Sequence, residues 1–309
     1  MMRRIVATSL FALLASSAAL ADHPFILPSN TSLAGDDNVV TFDAAASDHV
    51  FFFDHRPVQL ASITVTKPDG STGETYNGMQ GRFRSVFDLK LDQQGTWKVA
   101  SQQSTITGTF KQNGEERRVG PARGGRPAGG GERGAADGPG GGEQPRTGGD
   151  AAVANPEGGP RRQPPVAFEN VPADATDIHL TERVSKIETF VTQGAPTATV
   201  FKPTGKGLEL DPITHPNAVV AGETARFRFL IDGKPAAGLK ISVIPGGDRY
   251  RDDVGEMALT TGADGVVAIR WPAAGMYWLG AEAEDSKPSE KRAENRQMSY
   301  AATFEVMTP

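Results

Sequence analysis

Histidine and carboxylate are the chemistry this chain has to offer. It carries five histidines and 37 acidic residues but no cysteine, which excludes thiolate catalysis, thiolate metal ligands and disulfides. Imidazole and carboxylate suit borderline divalent ions such as Ni²⁺, Co²⁺, Cu²⁺ or Zn²⁺. His23 follows Asp22 in DHPFILP. With a free amine at Asp22, that amine, the His23 amide and the imidazole can chelate Cu²⁺ or Ni²⁺, and Pro24, lacking an amide proton, ends the chelate there. The competing expectation is a frayed terminus with a solvated ring.

His49 and His55 bracket HVFFFDH, the most aromatic run of the chain. As a strand, it sets both rings on the side of Phe51 and Phe53 but about 20 Å apart, too far to share an ion. Asp54 and His55 then face opposite ways and converge only if the strand stops at Arg56-Pro57. His179 alternates with Ile178 and Leu180, so it reads as surface. His215 lies in DPITHPN, a proline-bounded loop, the kind of position from which a rigid β scaffold presents binding groups. There is no G-x-S-x-G elbow, no phosphate-cradling loop and no helical histidine pair, so the chain is not expected to be an enzyme.

The start of the chain gives a compartment. Met1-Met2-Arg3-Arg4 is basic, the stretch to Leu20 is apolar and small, and Ala19-Leu20-Ala21 fits the small-x-small rule, so residues 1–21 read as a cleaved secretory signal and the protein as periplasmic or secreted. The apolar run is shorter than the roughly 20 residues of a bilayer helix, and no membrane span is expected. Losing Arg3 and Arg4 with the leader takes the formal charge from −5 to about −7, which argues against nucleic acid as a partner.

The elements that must position these residues read as strands. Residues 39–43, 61–67, 82–91 and 105–111 carry β patterns separated by turn signals such as Pro68-Asp69-Gly70 and Asn113-Gly114, which suggests a first sandwich over residues 22–113. Residues 114–165, rich in Gly, Pro and Arg, are short of the large apolar side chains needed to offset ordering entropy, so they read as a disordered insert. From Val166, residues 177–191 read as strands. Ala225, Phe227 and Phe229 then alternate with polar neighbours up to Asp232-Gly233, a strong hairpin signal. Residues 239–243, 266–271, 276–283 and 300–306 extend a second sandwich over 166–309. A weak repeat links the halves: LDQQGTWKV at 91–99 parallels WPAAGMYWL at 271–279, each with a strand, a turn ending in Gly and an inward-facing aromatic two positions on.

Three passages resemble a known family: HPFILP after the leader, FFFDH, and the block from PTGKGLELDPITHPN through LIDGKPAAGLKISVIPGG, TGADGVVAIRWPAAGMYWL and MSYAATFEV. They are similar to the exported proteins of domain-of-unknown-function family 4198 (DUF4198), often described as periplasmic nickel or cobalt uptake components. The resemblance implies an immunoglobulin-like β fold and points to His23, Asp54, His55 and His215 as metal ligands. A metal site would bring at least three of these, with a carboxylate such as Glu209 or Asp211, to about 2.0–2.2 Å from one point. Asp22 stands ahead of His23 here, whereas members often begin at the histidine, so an amine-plus-imidazole chelate by an N-terminal histidine does not carry over. The combined expectation is an all-β, exported, non-enzymatic protein of two immunoglobulin-like sandwiches. It would bind a divalent transition metal, nickel or cobalt first with copper and zinc also open, for uptake or buffering beside an envelope transporter or receptor. The alternative is an envelope interaction module that binds a protein or glycan partner.

Overall fold

In a computed structural model, which describes residues 22–35, 38–121 and 163–309, the regular structure is β-strand apart from short 3-10 turns. The expected leader and most of the Gly/Pro/Arg-rich stretch lie outside the described residues. The protein is all-β, built from a five-stranded, a ten-stranded and a four-stranded sheet.

The compact units differ from two consecutive sandwiches. Of the described residues, one takes those within 22–104, 184–284 and 297–309; the other takes those within 105–121, 163–183 and 285–296. In the first unit two hydrophobic cores lie on opposite faces of the same strands. Along Gly275–Asp285, Tyr277, Leu279 and Ala281 enter one core while Trp278 enters the other. In Asn295–Val306, Tyr300, Ala302 and Phe304 oppose Ala301 in the same way. One core is closed by Phe227, Phe229 and Ile269 of the four-stranded sheet, the other by Phe25, Phe42 and Phe87 of the five-stranded sheet. Strands covered on both faces need apolar or small residues at successive positions rather than in alternation, and YWLGA at 277–281 and YAATF at 300–304 supply them. The two expected sandwiches therefore exist as two cores that share their middle layer, which is why no boundary falls between them.

Several local expectations hold. Asp232 (φ 51°) and Gly233 (φ 75°) form the turn between Thr224–Ile231 and Lys234–Pro235. The return arm is only two residues long, however, and Lys240–Pro245 joins the ten-stranded sheet instead. The repeated corner is real: Trp97 and Tyr277 are both buried, and each donates to a carbonyl four residues back, Trp97 Nε1 to Gln93 at 3.1 Å and Tyr277 Oη to Ala273 at 2.9 Å. Residues 105–111 are the end of an 18-residue strand, Gly95–Gln112, and Asn113-Gly114 is a hairpin turn into Glu115–Val119 rather than the end of a domain. The second unit has its own small core of Phe110, Val119, Val171, Leu180 and Ala293.

The run 49–55 is not a strand. Val39–Ser47 ends at Ser47, and the chain turns through Phe51 (φ 64°) before Arg56–Pro57 pairs back onto Ala45 and Ala46. Three adjacent phenylalanines cannot all be buried by a single-faced strand. Turning lets Phe51 and Phe53 pack on Phe25, with ring centroids 5.3 and 5.9 Å away, while Phe52 meets Tyr250. The roughly 20 Å separation expected for an extended run therefore does not apply.

One contact ties the strand His23–Pro28 to the middle layer. Trp278 Nε1 donates to the Pro24 carbonyl at 2.9 Å, and the His23 ring stands edge-on to the indole at 4.7 Å. The indole lies across Gly280, where a Cβ would come within 2.0 Å of the ring. Gly280→Ala should therefore destabilise the fold by about 1–3 kcal/mol through overpacking and change Trp278 fluorescence. Unaltered urea unfolding and emission in that variant would contradict this placement.

Candidate functional site

His23–Pro28 pairs antiparallel with Val39–Ser47, His23 opposite Ser47. That register carries Asp22 to the start of the 48–55 turn. There the carboxylates of Asp22 and Asp48 and the His55 ring each offer a ligand atom within 4.8 Å of the others. His55 Nε2 is 3.6 Å from Asp22 Oδ1, and Arg56 Nε and Nη2 are both 3.4 Å from Asp22 Oδ2. Asp22 is partly buried, whereas Asp48 and His55 are exposed. Ligands held about 2.1 Å from one ion stand roughly 3–4 Å apart, and these three atoms lie within 4.8 Å of one another.

The turn is fastened from several sides. The Asp48 amide donates to Asp54 Oδ1 at 3.3 Å, the Ser47 hydroxyl donates to the His49 carbonyl, and the Phe52 amide donates to the same carbonyl at 3.2 Å. Asp54 thus closes the turn and stands outside the three-residue group. His23 Nδ1 lies 3.1 Å from the Asp48 carbonyl. A carbonyl only accepts, so this nitrogen carries the proton. His23 is a strand residue with a fixed ring, not a frayed terminus. A chelate through the Asp22 amine, the His23 amide and the ring would need Nδ1, which this bond occupies.

The sequence model of one family, described as "Domain of unknown function (DUF4198)", matches residues 19–285. The chain belongs to this family. No curated protein matches it. Among solved structures it is similar to the D0-D1 domain of intimin, at 10% identity over 93% of this chain and 100% of that one, with a TM-score of 0.21. It is similar also to a Salmonella alpha-2-macroglobulin, at 12% identity over 91% of this chain but 15% of that one, again with a TM-score of 0.21.

His215, Glu209, Asp211, His49 and His179 of this DUF4198 chain are not members of the group. His215 caps a short 3-10 turn: its Nδ1 accepts from the Asn217 amide at 3.1 Å, so Nε2 carries the proton and faces the Thr197 carbonyl at 3.2 Å and Thr96 Oγ1 at 3.0 Å. Both nitrogens are used by the fold, which corrects the expectation of a free loop ligand. Glu209 is buried, and although burial opposes ionisation, the Thr204 hydroxyl and amide, Lys186 and the Gly205 amide outweigh it and hold the carboxyl below its ordinary range. Asp211 pairs with Arg228 at 3.1 Å. His49 Nδ1 lies 3.2 Å from Asp248 Oδ2, and the exposed His179 lies 3.2 Å from Glu294.

Sequence reasoning considered the Asp22 amine but missed the carboxylates of Asp22 and Asp48 as donors. Asp22 had a signal, since it directly precedes His23. Asp48 had none, because its place depends on the chain turning back at Phe51.

Burial pushes the His215 imidazole below its ordinary value, against a smaller upward pull from the Thr197 carbonyl. A histidine whose folded pKa lies below the unfolded value of about 6.5 adds stability above that pH and loses it as the pH falls. The His215 ring resonances should therefore titrate below the ordinary range, and stoichiometric Zn²⁺ should leave them in place. A Zn²⁺-induced shift of those resonances would return His215 to the ligand set.

Proposed function

We propose that this DUF4198 protein is an exported, non-catalytic binder of a divalent transition ion. The ion is held by Asp22, Asp48 and His55 beside the mature N-terminus. The reading is carried by one observation: of the described His, Asp and Glu residues, these three form a group whose ligand atoms come within 4.8 Å of one another. Two carboxylates and an imidazole are a borderline donor set, suited to Ni²⁺, Co²⁺, Cu²⁺ or Zn²⁺ rather than to Ca²⁺ or Mg²⁺, which favour oxygen alone. Exposure of two of the three ligands fits an ion that is picked up and released, as uptake or buffering requires, with an envelope transporter or receptor as the recipient. Arg56 gives Asp22 a counter-charge when no ion is bound.

Calorimetric titration of metal-free protein beginning at Asp22 with Ni²⁺, Co²⁺, Cu²⁺ and Zn²⁺ tests this. One ion should bind per chain, and Asp48→Asn and His55→Ala should each weaken binding about tenfold or more, within the range found when a metal-supporting group is lost. Both positions are exposed, so the unfolding midpoint should hold. Affinity that neither substitution alters would sink the metal reading and favour a protein or glycan partner.

A further inference from the structure

We infer that the α-amine of Asp22, released when the leader is removed after Ala21, is itself a ligand of the ion, so that cleavage completes the site; this rests on the metal reading above. Asp22 is both the residue that follows the small-x-small boundary and a member of the Asp22–Asp48–His55 group. An N-terminal aspartate is a chelator in its own right. Its amine nitrogen and one β-carboxylate oxygen close a six-membered ring on a metal, through Cα, Cβ and Cγ.

Before cleavage the same nitrogen is an amide. Its lone pair is delocalised into the peptide bond, so the uncleaved chain offers only the carboxylate arm. Cleavage therefore turns Asp22 from a one-atom into a two-atom ligand without moving any other residue.

That nitrogen belongs to the residue directly ahead of a paired strand. The next residue, His23, opens a paired strand with its ring held to the Asp48 carbonyl, and Pro24 is tied to Trp278. The His23 contact also separates two ways of using the amine. A chelate running through the His23 amide and ring has to break the Nδ1 bond to Asp48, whereas the ring closed within Asp22 leaves it intact. The completed set is two nitrogens, the Asp22 amine and the His55 imidazole, with oxygens from Asp22 and Asp48. Adding a nitrogen moves the preference further toward Cu²⁺, Ni²⁺ and Zn²⁺, and an uncleaved chain stays poorly loaded.

The test compares Ni²⁺ binding by the chain beginning at Asp22 with a free amine and by the same chain acetylated at that amine. Asp48→Asn and His23→Gln variants of the free-amine form run beside them, and circular dichroism confirms folding. Acetylation should weaken binding at least tenfold, the scale on which joining two weak ligands in one group raises affinity, while His23→Gln, whose side-chain amide can still donate to the Asp48 carbonyl, should cost far less. Equal affinity of the free and acetylated forms, both lost in Asp48→Asn, would overturn the amine ligand but keep the metal site. Equal losses from acetylation and from His23→Gln would assign the amine to a chelate through His23 and overturn the Asp22 ring. Absence of stoichiometric binding in every form would overturn the metal reading and this inference with it.

Discussion

The indole of Trp278 lying across Gly280 is the contact on which the arrangement around the candidate site depends. Its strand has both faces buried: Tyr277 and Leu279 point one way and Trp278 the other. Only a residue without a Cβ at 280 leaves room for the ring. From there the indole donates to the Pro24 carbonyl and supports the edge of His23. A buried N–H without an acceptor would be costly, so this bond fixes the strand His23–Pro28 against the middle layer. Asp22 is the residue that emerges at its end.

The group formed there is a problem in charge as much as in geometry. Asp22 and Asp48 repel each other, and their approach is tolerated because Arg56 and His55 stand against Asp22 and because water reaches Asp48 and His55. Exposed ion pairs of this kind contribute little to stability. The fold itself is held by the two cores and by polar groups satisfied inside, such as His215 between Asn217, Thr197 and Thr96. A divalent ion at the group would replace a weak, hydrated balance with direct bonds, which is a change a surface site can make without disturbing the cores.

Much of the architecture was legible in the sequence. Alternation at Ala225, Phe227 and Phe229 and the Asp232-Gly233 turn are local properties, and the structure places both as expected. The shared corner at Trp97 and Tyr277 was also readable, because a positive-φ glycine two residues before a buried aromatic is a local pattern. The division into consecutive sandwiches was not readable. Doubly buried strands such as 277–281 and 300–304 look like any apolar β segment until the sheets on either side are known. HVFFFDH was misread as a strand for the opposite reason: its aromatic content favours extension, but the demands of three adjacent rings on a single core favour turning. That one reversal hid Asp48 and changed the partners of His49, Asp54 and His55. His215 was legible as a loop residue, but not as a cap whose two nitrogens are both used by the fold.

The most direct measurement is anomalous diffraction at the nickel edge from crystals of the chain beginning at Asp22, grown with Ni²⁺. The expected result is a single strong peak at bonding distance from Asp22, Asp48 and His55, with His215 still bonded to Asn217 and Thr197. A peak at His215 or at His49, or no peak in nickel-saturated crystals, would contradict the assignment of the ion to the end of the strand His23–Pro28.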